Sequence, residues 1–396
     1  MLVLCTAADQ KIATRVSNHL GLFSQVLASD GQENMKGPNK RKVLEERFSR
    51  QGFSYAGDTK SDLAVWAAAS SSIIVSNSQS LKTSAQTLCP IEKEFPKPKV
   101  RIRDIAKLLR IHQWAKNLLL FVPAIAAHQV GEVGLIFTLA IAFFSFSLCS
   151  SSVYIANDLL DLESDRRHPR KRARPLASGR ISIVTGLVML PALLTASALL
   201  ALQVGPLFCW VLLIYYLLTC VYSVILKRIA LLDCLALAAL YTLRVIAGAA
   251  AILMSVSFWL LAFSVFLFLS LAFLKRFVEL QEASDNALGV NLPGRGYDCG
   301  DSQFIQVLGI AAGFVSVLVL ALYIDSTASE QLYLIPEVVW GAVAVLLYWV
   351  SWIWLKAHRG EMHDDPVVFA TTDRVSLACG LAFGGIVALG TVGLNI

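Results

Sequence analysis

From about residue 105 onward the chain is a succession of long apolar stretches separated by short polar loops. A helix needs roughly 20 apolar residues to cross about 30 Å of hydrocarbon. Nine stretches qualify, at about 109–129, 133–156, 181–203, 206–226, 230–253, 257–276, 303–324, 333–355 and 375–394. The pattern predicts an all-α polytopic membrane bundle of nine transmembrane helices over residues 105–396. The chain as a whole is 56% apolar and 16% charged. Soluble domains are nearer 45–50% and 25%. A disordered chain is excluded, and a wholly soluble one is disfavoured.

Basic residues test the span count. Arg166, Arg167, Arg170, Lys171, Arg172 and Arg174 follow the second stretch. Lys227 and Arg228 follow the fourth, Lys275, Arg276 and Arg295 the sixth, and Lys356, Arg359 and Arg374 the eighth. Lys97, Lys99, Arg101, Arg103 and Lys107 precede the first. The intervening loops around 130, 204, 255 and 328 carry no Lys or Arg, and neither does the tail 394–396. This alternation predicts a multi-pass protein of the cell's inner (plasma) membrane, amino terminus cytoplasmic and carboxyl terminus outside. The net charge of +6 then reflects topology and anion binding, and no nucleic-acid partner is expected. The eight cysteines form no C-x-x-C pair, so neither a disulfide framework nor a structural zinc site is supported.

Residues 1–88 read differently, as a small α/β segment. Met1–Thr6, Phe53–Ala56 and Ser72–Val75 are strand-like, and Gln10–Leu20 and Ser61–Ala69 have helical spacing. Met1 begins a strand-like run without a basic n-region, so no cleavable signal peptide is expected. Residues 89–104, with Pro96, Pro98 and mixed charge, read as a linker.

The densest chemistry lies at Tyr154-Ile-Ala-Asn-Asp-Leu-Leu-Asp-Leu-Glu-Ser-Asp165. On a helix Asp158, Asp161 and Asp165 share one face. Three like charges there call for a cation, and oxygen-only ligands suit Mg²⁺. The bland alternative is a solvated helix end. The adjoining run Arg166–Gly179 suits phosphate oxygens, or serves only as a topological anchor. Lys275, Arg276 and Glu279 form a second polar cluster at the end of the sixth stretch, which salt-linked helix-end charges would also explain. Arg244 sits inside a predicted span, where a charge must face the bundle interior and a partner; Gly248 beside it permits close helix packing. Arg110, Gln113 and Asn117 share a face of the first span, with Trp114 and Lys116 explicable as an interfacial belt.

At Asn157-Asp-x-x-Asp-x-x-x-Asp165 the chain resembles the UbiA superfamily of intramembrane prenyltransferases, over residues 105–396. Within it, the chain looks like the decaprenyl-phosphate phosphoribosyltransferases. The similarity rests on Gln113-Trp-x-Lys-Asn117, Asp165-Arg-x-His-Pro-x-Lys171, Arg174-Pro-x-Ala-Ser-Gly179, Leu243-Arg-Val-x-Ala-Gly248, Lys275-Arg-x-x-Glu-Leu280 and Asp364-Asp-Pro366 with Asp373-Arg374. The resemblance implies a polar cavity in which Asp158, Asp161 and Asp165 bind catalytic Mg²⁺ and, with Asn157, a diphosphate. Gln113, Lys116, Asn117, Lys171, Arg174, Arg244, Lys275, Arg276 and Glu279 are the implied substrate-binding residues. Members that prenylate aromatic acceptors carry a second D-x-x-x-D motif after the sixth span. Here that position reads Lys275-Arg-Phe-Val-Glu279, which favours a phosphoribosyl diphosphate donor and a polyprenyl phosphate acceptor. The expected partners are that lipid, the diphosphate donor and membrane lipid; oligomeric state is not legible. Two rivals stay open: transfer of a prenyl group to an aromatic or other small acceptor, and a non-enzymatic transporter.

Residues 1–88 resemble part of a haloacid-dehalogenase-type phosphatase. Thr6 matches its phosphate-binding hydroxyl, Lys40 its phosphate-neutralising lysine and Gly57-Asp-x-x-x-Asp62 its acidic Mg²⁺ motif. The D-x-D nucleophile belongs upstream of Thr6, where no Asp stands. Without a nucleophile no phosphoaspartyl intermediate forms, so phosphatase activity is expected to be absent. A remnant, a late start or a split gene would account for the segment.

Overall fold

The structure is a computed structural model, and it describes residues 1–96, 100–129, 131–285, 295–330, 332–362 and 365–392. Lys97, Pro98, Lys99, Asp364 and the tail 394–396 lie outside the described residues. The chain divides into two compact units, Met1–Lys99 and Val100–Ile396.

In the first unit β1 (Val3–Asp9) runs into α1 (Gln10–Leu20) and pairs in parallel with β2 (Gln25–Ser29). Asp9 accepts a hydrogen bond from the Lys11 backbone N–H at 2.8 Å, which fixes the start of α1. After α2 (Pro38–Phe48), a second parallel sheet is ordered β3 (Ser54–Gly57), β4 (Ser71–Ile74), β5 (Ile91–Glu94), with α3 (Leu63–Trp66) and α4 (Gln79–Gln86) as crossovers. Trp66, Ile74, Leu81 and Ala85 form one small core, and Leu27, Met35, Leu44 and Val65 another.

The second unit is helical: α5 (Ile102–Leu108), α6 (Val122–Ala126), α7 (Val133–Leu160), α8 (Leu162–Arg167), α9 (Ile183–Val204), α10 (Pro206–Val224), α11 (Leu232–Ala251), α12 (Phe258–Asp285), α13 (Ser302–Ile324), α14 (Thr327–Glu330), α15 (Pro336–His358), α16 (Pro366–Ala370) and α17 (Arg374–Val392). Among the described residues eight of these, α7, α9 to α13, α15 and α17, are long and apolar enough to cross a membrane. Apolar side chains such as Val184, Leu187, Leu199 and Leu202 of α9 stay exposed, as lipid-facing residues do when the surrounding solvent is itself apolar. α11 is the central helix: most of its apolar window is buried. It joins two cores, one with α7 and α10, the other with α12 and α15.

The first of the nine expected spans takes another form. Ile111–Phe121 is a 3₁₀ helix followed by the short α6. The reason is tertiary. Trp114 Nε1 donates to Ser151 Oγ at 3.0 Å, Asn117 Nδ2 to Ser147 Oγ at 2.9 Å, and Ser151 Oγ to the Leu109 carbonyl at 2.8 Å. These bonds pin the segment against α7. On its other side a Cβ added at Gly248 would lie 1.9 Å from the Leu120 carbonyl oxygen, so only glycine admits this approach. A 3₁₀ helix eclipses residues three apart. It therefore aligns Arg110, Gln113 and Lys116, whereas α-helical spacing groups Arg110, Gln113 and Asn117.

Candidate functional site

The membrane unit encloses a cavity of about 400 Å³. The 3₁₀ segment supplies Arg110, Gln113 and Lys116; α7 supplies Tyr154 and Asn157; α10 supplies Tyr215, Tyr222 and Ser223. α11 contributes Tyr241 and Arg244, α12 contributes Lys275, Glu279 and Glu282, and Arg295 and Asp365 come from loops. Among the described residues five cationic and three acidic side chains line it, an excess of two positive charges. A smaller apolar pocket of about 90 Å³, lined by Val153, Leu160, Leu190 and Tyr216, shares Asn157 and Ser223 with the cavity.

Arg244 is 5% exposed. Its Nε donates to Asn117 Oδ1 at 3.0 Å, Nη1 to the Leu240 carbonyl at 2.6 Å and Nη2 to Tyr215 Oη at 3.0 Å. The rings of Phe146, Tyr215 and Tyr241 lie 5.0–5.5 Å from its guanidinium, within cation–π range. These groups are all neutral, so the charge of Arg244 is hydrogen-bonded without being cancelled.

Asp365 lies at the N-terminus of α16. Its Oδ2 accepts from Lys116 Nζ at 2.6 Å and Lys275 Nζ at 3.1 Å, while Oδ1 accepts from Tyr241 Oη at 3.5 Å and the Val367 N–H at 3.2 Å. Burial pushes the Asp365 carboxyl up, but Lys275 and Lys116 outweigh it and hold it well below the usual carboxylate range. One carboxylate thus answers two ammonium groups. Sequence spacing gave little warning of this residue, since its partners are 249 and 90 positions away. The local signal was Asp-Pro, a helix cap with proline at the first helical position.

The acidic motif is divided. α7 ends at Leu160, and Asp161 lies between it and α8. Asp158 and Asp165 are 3% and 2% exposed and converge on Arg174, whose Nη1 donates to Asp158 Oδ1 at 3.0 Å and Asp165 Oδ2 at 2.6 Å. Arg110 Nη2 reaches Asp158 Oδ1 at 2.5 Å and stacks over Tyr154 at 4.8 Å. Asp161 is exposed and stands apart, because the break after Leu160 interrupts the common face that one helix would provide. Asn157 Nδ2 donates to Ser223 Oγ at 3.0 Å. The donor set fits Mg²⁺ in chemistry: Asp158 and Asp165 are oxygen ligands already gathered around one positive group.

The remaining predicted residues separate. Gln113, Lys116, Asn157, Arg244, Lys275 and Glu279 line the cavity; Asn117 is buried behind Arg244. Lys171 is exposed on a 3₁₀ turn, away from the cavity lining. Arg276 is fully buried and paired with Asp233 and Glu279. Tyr297 Oη donates to Asp233 Oδ1 at 2.5 Å and accepts from the Leu231 N–H at 2.7 Å. Arg276 therefore ties α12 to α11 instead of facing the cavity.

In the first unit Lys40 and Asp62 lie close together. Lys40 Nζ donates to Tyr55 Oη at 2.9 Å and lies 3.9 Å from Asp62 Oδ1. Asp62 Oδ2 accepts from the Asp58 and Thr59 N–H groups at 3.1 and 3.0 Å and from Thr59 Oγ1 at 2.8 Å. Thr6 Oγ1 accepts from the Ala8 N–H at 3.2 Å. Burial pushes the Cys5 thiol beside it up to about 11.

Known proteins share the sequence family and the fold of this chain. The UbiA prenyltransferase family model matches residues 118–372. The uncharacterized protein y4nM of Sinorhizobium fredii is 38% identical over 95% of this chain and 73% of its own length. Decaprenyl-phosphate phosphoribosyltransferase of Mycolicibacterium smegmatis is 28% identical over 76% of this chain and 94% of its own. Among solved structures, a UbiA homolog from Archaeoglobus fulgidus bound to GPP and Mg²⁺ superposes with a TM-score of 0.54 at 15% identity, covering 72% of this chain and 99% of that one; this likeness concerns the fold. Multiple apolar spans, a charged cavity beside paired aspartates and the family match lead to one conclusion: the chain belongs to the UbiA prenyltransferase family of multi-pass membrane transferases.

Proposed function

We propose that this chain is a Mg²⁺-dependent transferase that moves phosphoribose from phosphoribosyl diphosphate to a polyprenyl phosphate at the cytoplasmic membrane face. The observation that carries the reading is the cluster in which Lys116 and Lys275 share the one carboxylate of Asp365 while Arg244 is bonded to neutral groups, leaving positive charge uncancelled among the described residues. A donor with phosphate at both ends, or a donor and acceptor that each bring phosphate, would offset it. A prenyl diphosphate with a neutral acceptor offers anionic charge at one end only. The sixth stretch, ending Lys275-Arg-Phe-Val-Glu279 in place of a second D-x-x-x-D, and the 28% identity to a phosphoribosyltransferase support the same donor.

Asp158 and Asp165 would hold Mg²⁺, which when bound neutralises charge on the departing diphosphate. Arg110 and Arg174, poised beside Asp158, would offset the rest. In the transfer, an acceptor phosphate oxygen, already anionic, bonds to the anomeric carbon. The bond from that carbon to the diphosphate breaks, and diphosphate leaves with the electron pair. No proton has to move. Tyr154, Tyr215 and Tyr241 line the same cavity and would favour a cationic ribosyl centre. The small apolar pocket that meets the cavity at Asn157 and Ser223 suits part of a lipid chain.

Membranes containing the full chain, incubated separately with labelled phosphoribosyl diphosphate and labelled prenyl diphosphate, test the reading. Label from the first donor in extracted lipid is the expected result. Label from the second alone would replace this function with prenyl transfer.

A further inference from the structure

The cavity handles its charge unevenly. Beside it, Asp158 and Asp165, which are not among its described lining residues, face Arg110 and Arg174, and the charges balance. Around Asp365 they do not. Among the described residues Lys116 and Lys275 pair with that one carboxylate, and Arg244 is bonded only to neutral groups. Lys116 and Asp365 have side chains 9% exposed, and Lys275 32%. Burying cations without matching anions is costly, so such an excess persists where a ligand supplies the missing charge. Glu279 and Glu282 also line the cavity, but Glu279 is engaged by Arg276 and Arg295.

We infer that Lys116 and Lys275, with Arg244 behind them, form a subsite for a phosphate monoester, separate from the diphosphate position at Arg110 and Arg174. Asp365 holds the two ammonium groups in place when that phosphate is absent and is their natural competitor when it arrives. A dianionic phosphate matches the local excess of two charges, and ammonium groups suit it as mobile point charges. The inference deepens the proposed function and rests on it for the identity of the ligand. Two sources carry the chemistry: the 5-phosphate of the donor and the phosphate of the lipid acceptor.

The test is binding to the full chain in lipid nanodiscs, with ribose 5-phosphate, farnesyl phosphate and inorganic diphosphate as separate probes. Lys275→Met should weaken one monophosphate by at least tenfold while changing diphosphate by less than twofold. The probe that weakens identifies the source. Arg110→Gln should do the reverse. Lys275→Arg, which keeps the charge, should restore most of the lost affinity and separates charge loss from misfolding. A Lys275→Met variant that binds both monophosphates like wild type, or weakens all three probes in parallel, overturns the subsite. Failure of the proposed function is a distinct result: no product from phosphoribosyl diphosphate in the labelled-donor assay, whatever the nanodisc affinities.

Discussion

Asp62 in the first unit and Asp365 in the second are both largely shielded carboxylates close to lysine, and they are satisfied in opposite ways. Asp62 takes two backbone N–H groups, two hydroxyls and, at 3.9 Å, one lysine. Nearly all of its partners lie within seven residues, so the turn after β3 closes on itself. Asp365 draws two ammonium groups from the 3₁₀ segment and α12. Its charge is exceeded, and its partners belong to separate elements. A locally saturated carboxylate stabilises a turn. An outnumbered one, shared between elements around a cavity, marks a place for an anion.

The largest expected effect belongs to the balanced acidic pair. Asp158→Ala should lower transfer by about 10²–10³-fold, the scale for removing one group that stabilises developing charge, while membrane insertion is unchanged. Turnover within threefold of wild type would dissociate the acidic motif from the chemistry. Next comes the packing beneath the cavity. Gly248→Ala forces a Cβ into the Leu120 carbonyl and should destabilise the membrane unit by about 1–3 kcal/mol, read as a lower melting temperature in detergent. An unchanged midpoint would mean that the 3₁₀ segment is not held by this approach.

Asp62→Asn sharpens the contrast. Loss of charge-assisted bonds there should cost about 1–2 kcal/mol, visible as faster proteolysis of residues 1–99, with lipid transfer altered less than twofold. A parallel fall in transfer would contradict a purely local role. The smallest effect concerns pH. The folded Asp365 carboxyl is held below its unfolded value of about 3.9, so its contribution is complete above that value and lost only as pH falls through the lower folded one. The thermal midpoint difference between wild type and Asp365→Asn should therefore stay flat from about pH 5 to pH 8. A difference that shrinks across that window would show that the lysines do not hold the carboxylate ionised.

What could be read from the sequence followed the range of the interactions. Apolar runs set eight long helices because hydrocarbon burial needs only local composition. Gln10–Leu20 is legible to the residue, since its helical spacing lies within the segment. Arg244 could be assigned to the interior because a charge in a span has few other places to go. The 3₁₀ form of Ile111–Phe121 was hidden, because its cause is Gly248 and the serines of α7, more than twenty residues away. Arg276 reads as a cavity residue until its burial against Asp233 of another helix is known. Asp161 is equivalent to Asp158 and Asp165 only on an unbroken helix, and the break after Leu160 separates them.

The most direct measurement is mass spectrometry of lipid extracted from proteoliposomes holding the full chain, a polyprenyl phosphate, phosphoribosyl diphosphate and Mg²⁺. The account predicts a lipid heavier by one phosphoribosyl group, dependent on Mg²⁺ and absent with Asp158→Ala. Unmodified polyprenyl phosphate with the wild-type chain, alongside a prenylated small acceptor when prenyl diphosphate is the donor, would contradict it.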